Sequence, residues 1–107
     1  MAAALVLCTA PSAAAARKLA GVLIRKKLAA CVSIQPRVLS LYRWKGKIER
    51  SRECVLSIKT SRRLFERVRS AIEKAHPYEL PEVIGIPLSG VSKKYSAWLA
   101  ANLTERT

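Results

Sequence analysis

The sequence predicts a single α+β domain over residues 1–107, with two helices packed on one face of a four-stranded antiparallel sheet. Three observations predict it. Four short segments are apolar runs or alternate apolar and polar residues, while three others carry apolar residues at helical spacing. The two kinds follow one another as strand, helix, strand, strand, helix, strand, helix. Half of the 107 residues are hydrophobic, enough for one core but not for two.

The first strand is the run Ala4-Leu5-Val6-Leu7-Cys8, apolar on both faces and closed by Thr9-Ala10-Pro11. Ser12 then offers an N-cap. Ala16, Leu19, Ala20 and Leu23 recur at helical spacing to about Lys27, with Arg17, Lys18, Arg25 and Lys26 mostly elsewhere on the wheel, so this stretch is an amphipathic helix. From Ala29 to Trp44 the chain is rich in β-formers. Pro36 cannot donate to a ladder, so a bulge or bend is expected there within one long strand. Lys45-Gly46-Lys47 makes the turn, and Cys54, Leu56 and Ile58 alternate with Val55, Ser57 and Lys59 in the returning strand, Ile48 to Thr60.

Ser61 is expected to cap a second helix whose stripe is Leu64, Phe65, Val68, Ala71, Ile72 and Ala75, ending at His76-Pro77. Arg62 and Arg63 fall in its first turn, where the helix dipole disfavours cations, so helix stability did not select them. After a loop from Pro77 to Pro81 comes a fourth strand, Glu82 to Leu88. A last helix places Tyr95, Trp98 and Leu99 at i, i+3 and i+4. This order is the split-βαβ, ferredoxin-like arrangement with an overlong hairpin. Two helices cover only one face of such a sheet, so the other face and the open edges call for an oligomer.

Composition narrows the partners. Twenty Lys and Arg stand against seven Glu and no Asp, a net charge of +13. Such a surface attracts nucleic acid, acidic lipid or acidic protein in a salt-sensitive and poorly specific way. No run approaches the roughly 18 apolar residues of a membrane span. The stretch from Ala2 to Ala16 has no basic residue ahead of Arg17 and is read as fold, not as a secretion signal. Cys8, Cys31 and Cys54 are an odd number of thiols in apolar runs, which suits a reducing compartment, the cytoplasm, better than a disulfide framework.

Five motifs then carry a resemblance. Leu7-Cys8-Thr9-Ala10-Pro11, Leu28-Ala29-Ala30-Cys31-Val32, Tyr42-Arg43-Trp44-Lys45-Gly46-Lys47-Ile48, Ile58-Lys59-Thr60 and His76-Pro77-Tyr78-Glu79-Leu80-Pro81-Glu82 stand in the order and spacing of the CutA divalent-ion tolerance proteins. Tyr95-Ser96-Ala97-Trp98-Leu99 also matches, so the chain resembles that family over essentially its whole length. The resemblance implies a homotrimer with long hairpins clasping neighbouring subunits, an association with copper and other divalent cations, and no assigned reaction. Two departures stand out. Family members carry many acidic residues on helices and hairpin, where this chain is basic; and Ala75 stands where some members have the first of two histidines.

Cys8 and His76 are the candidate metal residues. The end of the first strand lies beside the start of the antiparallel fourth, which brings them into one neighbourhood, and some family members are thought to bind copper at the matching positions. Two ligands are too few for a tight closed site, so any copper is held weakly; the plainer alternative is a structural buried thiol and a histidine ending a helix. Glu79 and Glu82 invite an acid–base or ligand role, but pairing with nearby Arg or Lys is the ordinary expectation. Tyr42, Trp44, Tyr95 and Trp98 could stack on bases; packing between subunits is the competing use. With one histidine and four scattered glycines there is neither a Cys–His dyad to argue nor a phosphate loop. The expected function is therefore a non-enzymatic trimer associated with divalent metal, copper in particular. The alternative makes the charge itself the function, in a natural or engineered supercharged trimer that binds polyanions or acidic proteins.

Overall fold

The computed structural model describes residues 1–106. Its elements are β1 (Ala3–Ala10), α1 (Ala13–Arg25), β2 (Cys31–Trp44), β3 (Lys47–Ser61), a 3-10 turn (Arg62–Leu64), α2 (Phe65–Ala75), β4 (Ile84–Pro87) and α3 (Lys93–Ala101). The strands form one sheet in the order β2-β3-β1-β4, every neighbouring pair antiparallel. This is the expected ferredoxin-like topology.

Alternation along the strands sorts the side chains. Val6, Cys8 and Ala10 of β1 and Cys54, Leu56 and Ile58 of β3 point to one face, where they are buried beneath Ala16, Leu19 and Leu23 of α1 and Val68, Ala71 and Ile72 of α2. Leu5 and Leu7 point the other way, and the register sets them opposite Ile86 and Ile84 of β4. There Ile84 keeps 47% and Ile86 37% of its surface exposed. α3 covers only part of this second face, with Tyr95 beside Cys31 and Leu99 fully buried.

Local chemistry explains the joints. The Ser12 hydroxyl accepts from the Ala15 N–H and starts α1. Lys27, at φ 55°, ends it in the left-handed conformation, with the Leu28 N–H bonded to the Leu23 carbonyl and the Lys27 N–H to that of Ile24, a Schellman motif without glycine. Lys45 and Gly46 both have positive φ, as a two-residue hairpin turn requires. The kink expected at Pro36 is a bulge between Gln35 and Val38, with Arg37 left-handed at φ 58°. Gly85 has a steric reason: a Cβ there would sit 2.8 Å from the Phe65 ring, so glycine lets α2 close onto β4.

Three expectations need correction. Ser61 does not cap α2 through its side chain; it is the last residue of β3, extended and paired with Ala3, and its buried hydroxyl finds no partner. α2 begins only at Phe65, after the 3-10 turn. The fourth strand is shorter than expected, because residues 81–83 run outside the ladder and pairing with β1 spans only Ile84 to Pro87. Arg63 acquires a role the helix dipole could not supply: its Nη2 donates to the Thr104 carbonyl at 2.6 Å, while Arg67 Nη1 donates to that of Arg106 at 3.1 Å, tying the C-terminal segment to α2.

Candidate functional site

Cys8 and His76 meet at the end of β1. The His76 ring, at the C-terminus of α2, directs Nε2 to the Thr9 carbonyl at 2.7 Å, and the Cys8 thiol donates to the same oxygen at 3.5 Å. His76 Nδ1 accepts from the Tyr78 N–H at 3.0 Å, so Nε2 must be the nitrogen that carries the proton. Both ring nitrogens are thus engaged. Cys8 is fully buried, and burial, then the negative charges of Glu82 and Glu53, push its thiol from 9.0 up to about 12. The thiol keeps its proton and both imidazole nitrogens are occupied in this arrangement, and among the described residues no group of three or more His, Cys, Asp or Glu is placed to hold a metal ion. The proximity expected from the topology is present.

Beside this pair opens a cleft of about 640 Å³ between the outer part of the hairpin, from Glu53 to Trp44, and the loop after α2. Its lining includes Thr9, Tyr42, Trp44, Glu53, Tyr78, Glu79 and Glu82. The Tyr78 hydroxyl donates to Glu53 Oε2 at 2.7 Å, and burial together with that carboxylate raises the pKa of the phenol. Glu79 and Glu82, expected to pair with cations, do not. The ion pairs among the described residues are Arg69 with Glu66 and with Glu73, both on α2. Arg43 also lines the cleft, within ion-pair distance of none of the three carboxylates. Tyr42 and Trp44 share a hairpin face as expected, and Lys45 Nζ lies 5.9 Å from the Trp44 ring.

Comparison with known proteins decides the family. Residues 4–102 match the family described as CutA1 divalent ion tolerance protein. The chain belongs to that family. It is 37% identical over 97 residues to the divalent-cation tolerance protein CutA of Thermus thermophilus, covering 91% of this chain and 94% of that one. It is 40% identical over 98 residues to the Pectobacterium atrosepticum protein of the same description, covering 92% and 89%. Among solved structures, CutA1 from Oryza sativa superposes with a TM-score of 0.95 at 38% identity, covering 98% of this chain and 96% of that one. The Thermus thermophilus protein gives 0.92 at 35% identity, covering 95% and 99%.

Within this CutA1 frame, sequence reasoning singled out Cys8 and His76 and passed over the contact of Glu53 with Tyr78. Glu53 had a visible signal: it is the last charge on β3 before the apolar alternation Cys54, Leu56, Ile58 begins. Its burial could not be read from that, because it depends on the Tyr78 loop folding over a strand 25 residues earlier.

Proposed function

We propose that this chain serves divalent-cation tolerance as a homotrimer and catalyses no reaction. The observation that carries the proposal is the apolar sheet face opposite α1 and α2. Leu5, Leu7, Val55, Ile84 and Ile86 point there, joined along the hairpin by Tyr42 and Trp44, and the isoleucines, with Tyr42 and Trp44, stay exposed. Leu41, at 62%, and Ile48, at 70%, leave further apolar surface on the hairpin's other side. Water-exposed area of this kind is covered by further copies of the chain, with the hairpins clasping neighbours. The relatives described as divalent-cation tolerance proteins support the cellular role.

For the metal itself we infer weak, exchangeable copper association at Cys8 and His76. A copper ion taking both donors displaces the thiol proton, moves the imidazole proton from Nε2 to Nδ1 and breaks the Thr9 carbonyl and Tyr78 N–H contacts, so the association strengthens with pH and stays far from that of a closed site. The three free thiols support a reducing compartment, the cytoplasm. Titrating copper(II) while recording the thiolate-to-copper absorption band tests the metal reading: a band lost in Cys8→Ser upholds it, and a band unchanged by that substitution overturns it.

A second reading has its own observation. Of 20 Lys and Arg, Arg69 is the one within ion-pair distance of a carboxylate among the described residues, so the basic surface is almost wholly uncompensated. That favours nonspecific binding of polyanions or acidic proteins. Binding to unrelated duplexes of equal length should differ by less than about tenfold and fall steeply with salt. No helix among the described residues is long and apolar enough to cross a membrane.

A further inference from the structure

Of the three free thiols, those of Cys8 and Cys54 are buried, while Cys31, the first residue of β2, is half-buried. It does not stand alone. Its partner across the β2–β3 ladder is Lys59, so both side chains lie on the sheet face opposite α1 and α2. The Ala30 N–H bonds to the Lys59 carbonyl at 3.0 Å and holds the pair in register. Lys59 Nζ lies 3.8 Å from Cys31 Sγ and donates to Ser33 Oγ at 2.6 Å. Among the described residues no carboxylate is within ion-pair distance of Lys59, so its charge faces a sulfur and a hydroxyl. This corner lies at the end of β2 and β3 far from the Lys45-Gly46 turn, and α3 of the same chain packs there, with Tyr95 beside Cys31. The exposed isoleucines that call for further copies are on β4, at the opposite edge of the sheet, and the hairpin aromatics are at its other end.

A partly exposed thiol beside a cation is the setting in which cysteine reacts, whereas a thiol sealed in a core is inert. Here the cation is also a nucleophile once it gives up a proton, and a long flexible stem lets it close the distance to the sulfur. We propose that Cys31 is a peroxide-responsive thiol whose oxidised form Lys59 captures as a reversible sulfenamide bridge between β2 and β3. The Cys31 sulfur attacks one oxygen of hydrogen peroxide; an S–O bond forms, the O–O bond breaks, and the other oxygen leaves as water, giving the sulfenic acid. Lys59 releases a proton to solvent, and its amine attacks the sulfur; an S–N bond forms, the S–O bond breaks, and a second water leaves. Thiol, ammonium and one peroxide thus give the sulfenamide, two waters and one proton, with the two electrons that reduce the peroxide drawn from sulfur. Two external thiols reverse the bridge: the first attacks the sulfur and frees the lysine, and the second resolves the mixed disulfide and restores Cys31. Neither Cys8 nor Cys54 has a lysine within hydrogen-bond reach among the described residues, so the chemistry belongs to Cys31.

The test treats the native, assembled protein with a small molar excess of hydrogen peroxide at neutral pH and reads intact mass and a tryptic map prepared without reductant. Each oxidised chain should be lighter by two hydrogen atoms. Trypsin should no longer cut after Lys59, so that residues 28–37 and 53–62 appear as one cross-linked species, and dithiothreitol should return the original map. Cys31→Ser should abolish the cross-link. Lys59→Arg, which keeps the positive charge without the nucleophilic amine, should also abolish it and leave a sulfenic acid at Cys31 that dimedone traps. If either variant does not fold, the other, together with the wild-type map, decides. A Cys31 that gains oxygen while trypsin still cuts after Lys59 would overturn the proposal. So would a two-hydrogen loss that persists in Lys59→Arg, or a Cys31 that peroxide leaves untouched because a neighbouring copy shields it.

Discussion

Raising the pH through the thiol range should destabilise this protein, and the part that Cys8 contributes can be isolated by one substitution. In the unfolded chain the Cys8 thiol ionises near its ordinary 9.0; in the folded chain burial, reinforced by the charges of Glu82 and Glu53, holds it protonated to about 12. Between those values the unfolded state binds fewer protons than the folded one, so stability is full below pH 9 and falls as pH rises towards 12. The whole interval corresponds to at most about 4 kcal/mol per protomer, and the part crossed by pH 11 to about 3 kcal/mol. Against a domain stability of about 5–15 kcal/mol that is large enough to measure. Urea unfolding followed by circular dichroism, at pH 7.5, 9, 10 and 11, should be run on the wild type and on Cys8→Ala. The substitution removes a buried sulfur and lowers stability at every pH, but the other titrating groups cancel in the difference between the two curves. The gap between them should shrink by about 3 kcal/mol from pH 7.5 to pH 11. Parallel curves would refute the reasoning, because Cys8 would then ionise alike in the folded and unfolded states.

Two other outcomes follow from packing and charge. Gly85→Ala forces a Cβ to within 2.8 Å of the Phe65 ring and should cost about 1–3 kcal/mol by thermal unfolding, with part of the loss recovered in Gly85→Ala/Phe65→Leu; a neutral Gly85→Ala would show that the ring yields freely. A trimer carrying three charges of +13 repels itself, and that repulsion is screened over about 30 Å at 0.01 M salt but about 10 Å at 0.1 M, so the melting temperature should rise between about 0.01 and 0.5 M. A melting temperature that fell with salt would mean that ion pairs between subunits hold the assembly together.

What the sequence made legible was whatever local pattern controls. The alternation of Cys54, Leu56 and Ile58 and the stripe from Leu64 to Ala75 placed β3 and α2, and Pro36 marked the bulge that Arg37 completes. Lys45-Gly46 announced its turn. Where long-range contacts decide, the sequence was silent or misleading. Ser61 reads as a cap until its pairing with Ala3 makes it part of a strand. Arg63 reads as an ill-placed cation until the carbonyl of Thr104, 41 residues later, receives it. For the site, strand order alone brought Cys8 and His76 together, because antiparallel pairing fixes which ends are neighbours. It could not show that the Thr9 carbonyl and the Tyr78 N–H occupy the imidazole, nor that Glu53 is buried under Tyr78. Those depend on side-chain hydrogen bonds that leave no periodic trace.

The exposed isoleucines of β4 make assembly the property most open to direct test. Sedimentation equilibrium at micromolar concentration and 0.15 M salt should give a mass three times that of the 11.8 kDa chain, and Ile86→Glu, which places a charge on the apolar sheet face, should shift the mass downwards. A wild-type protein that sediments at 11.8 kDa while retaining its folded circular dichroism spectrum would contradict the trimer.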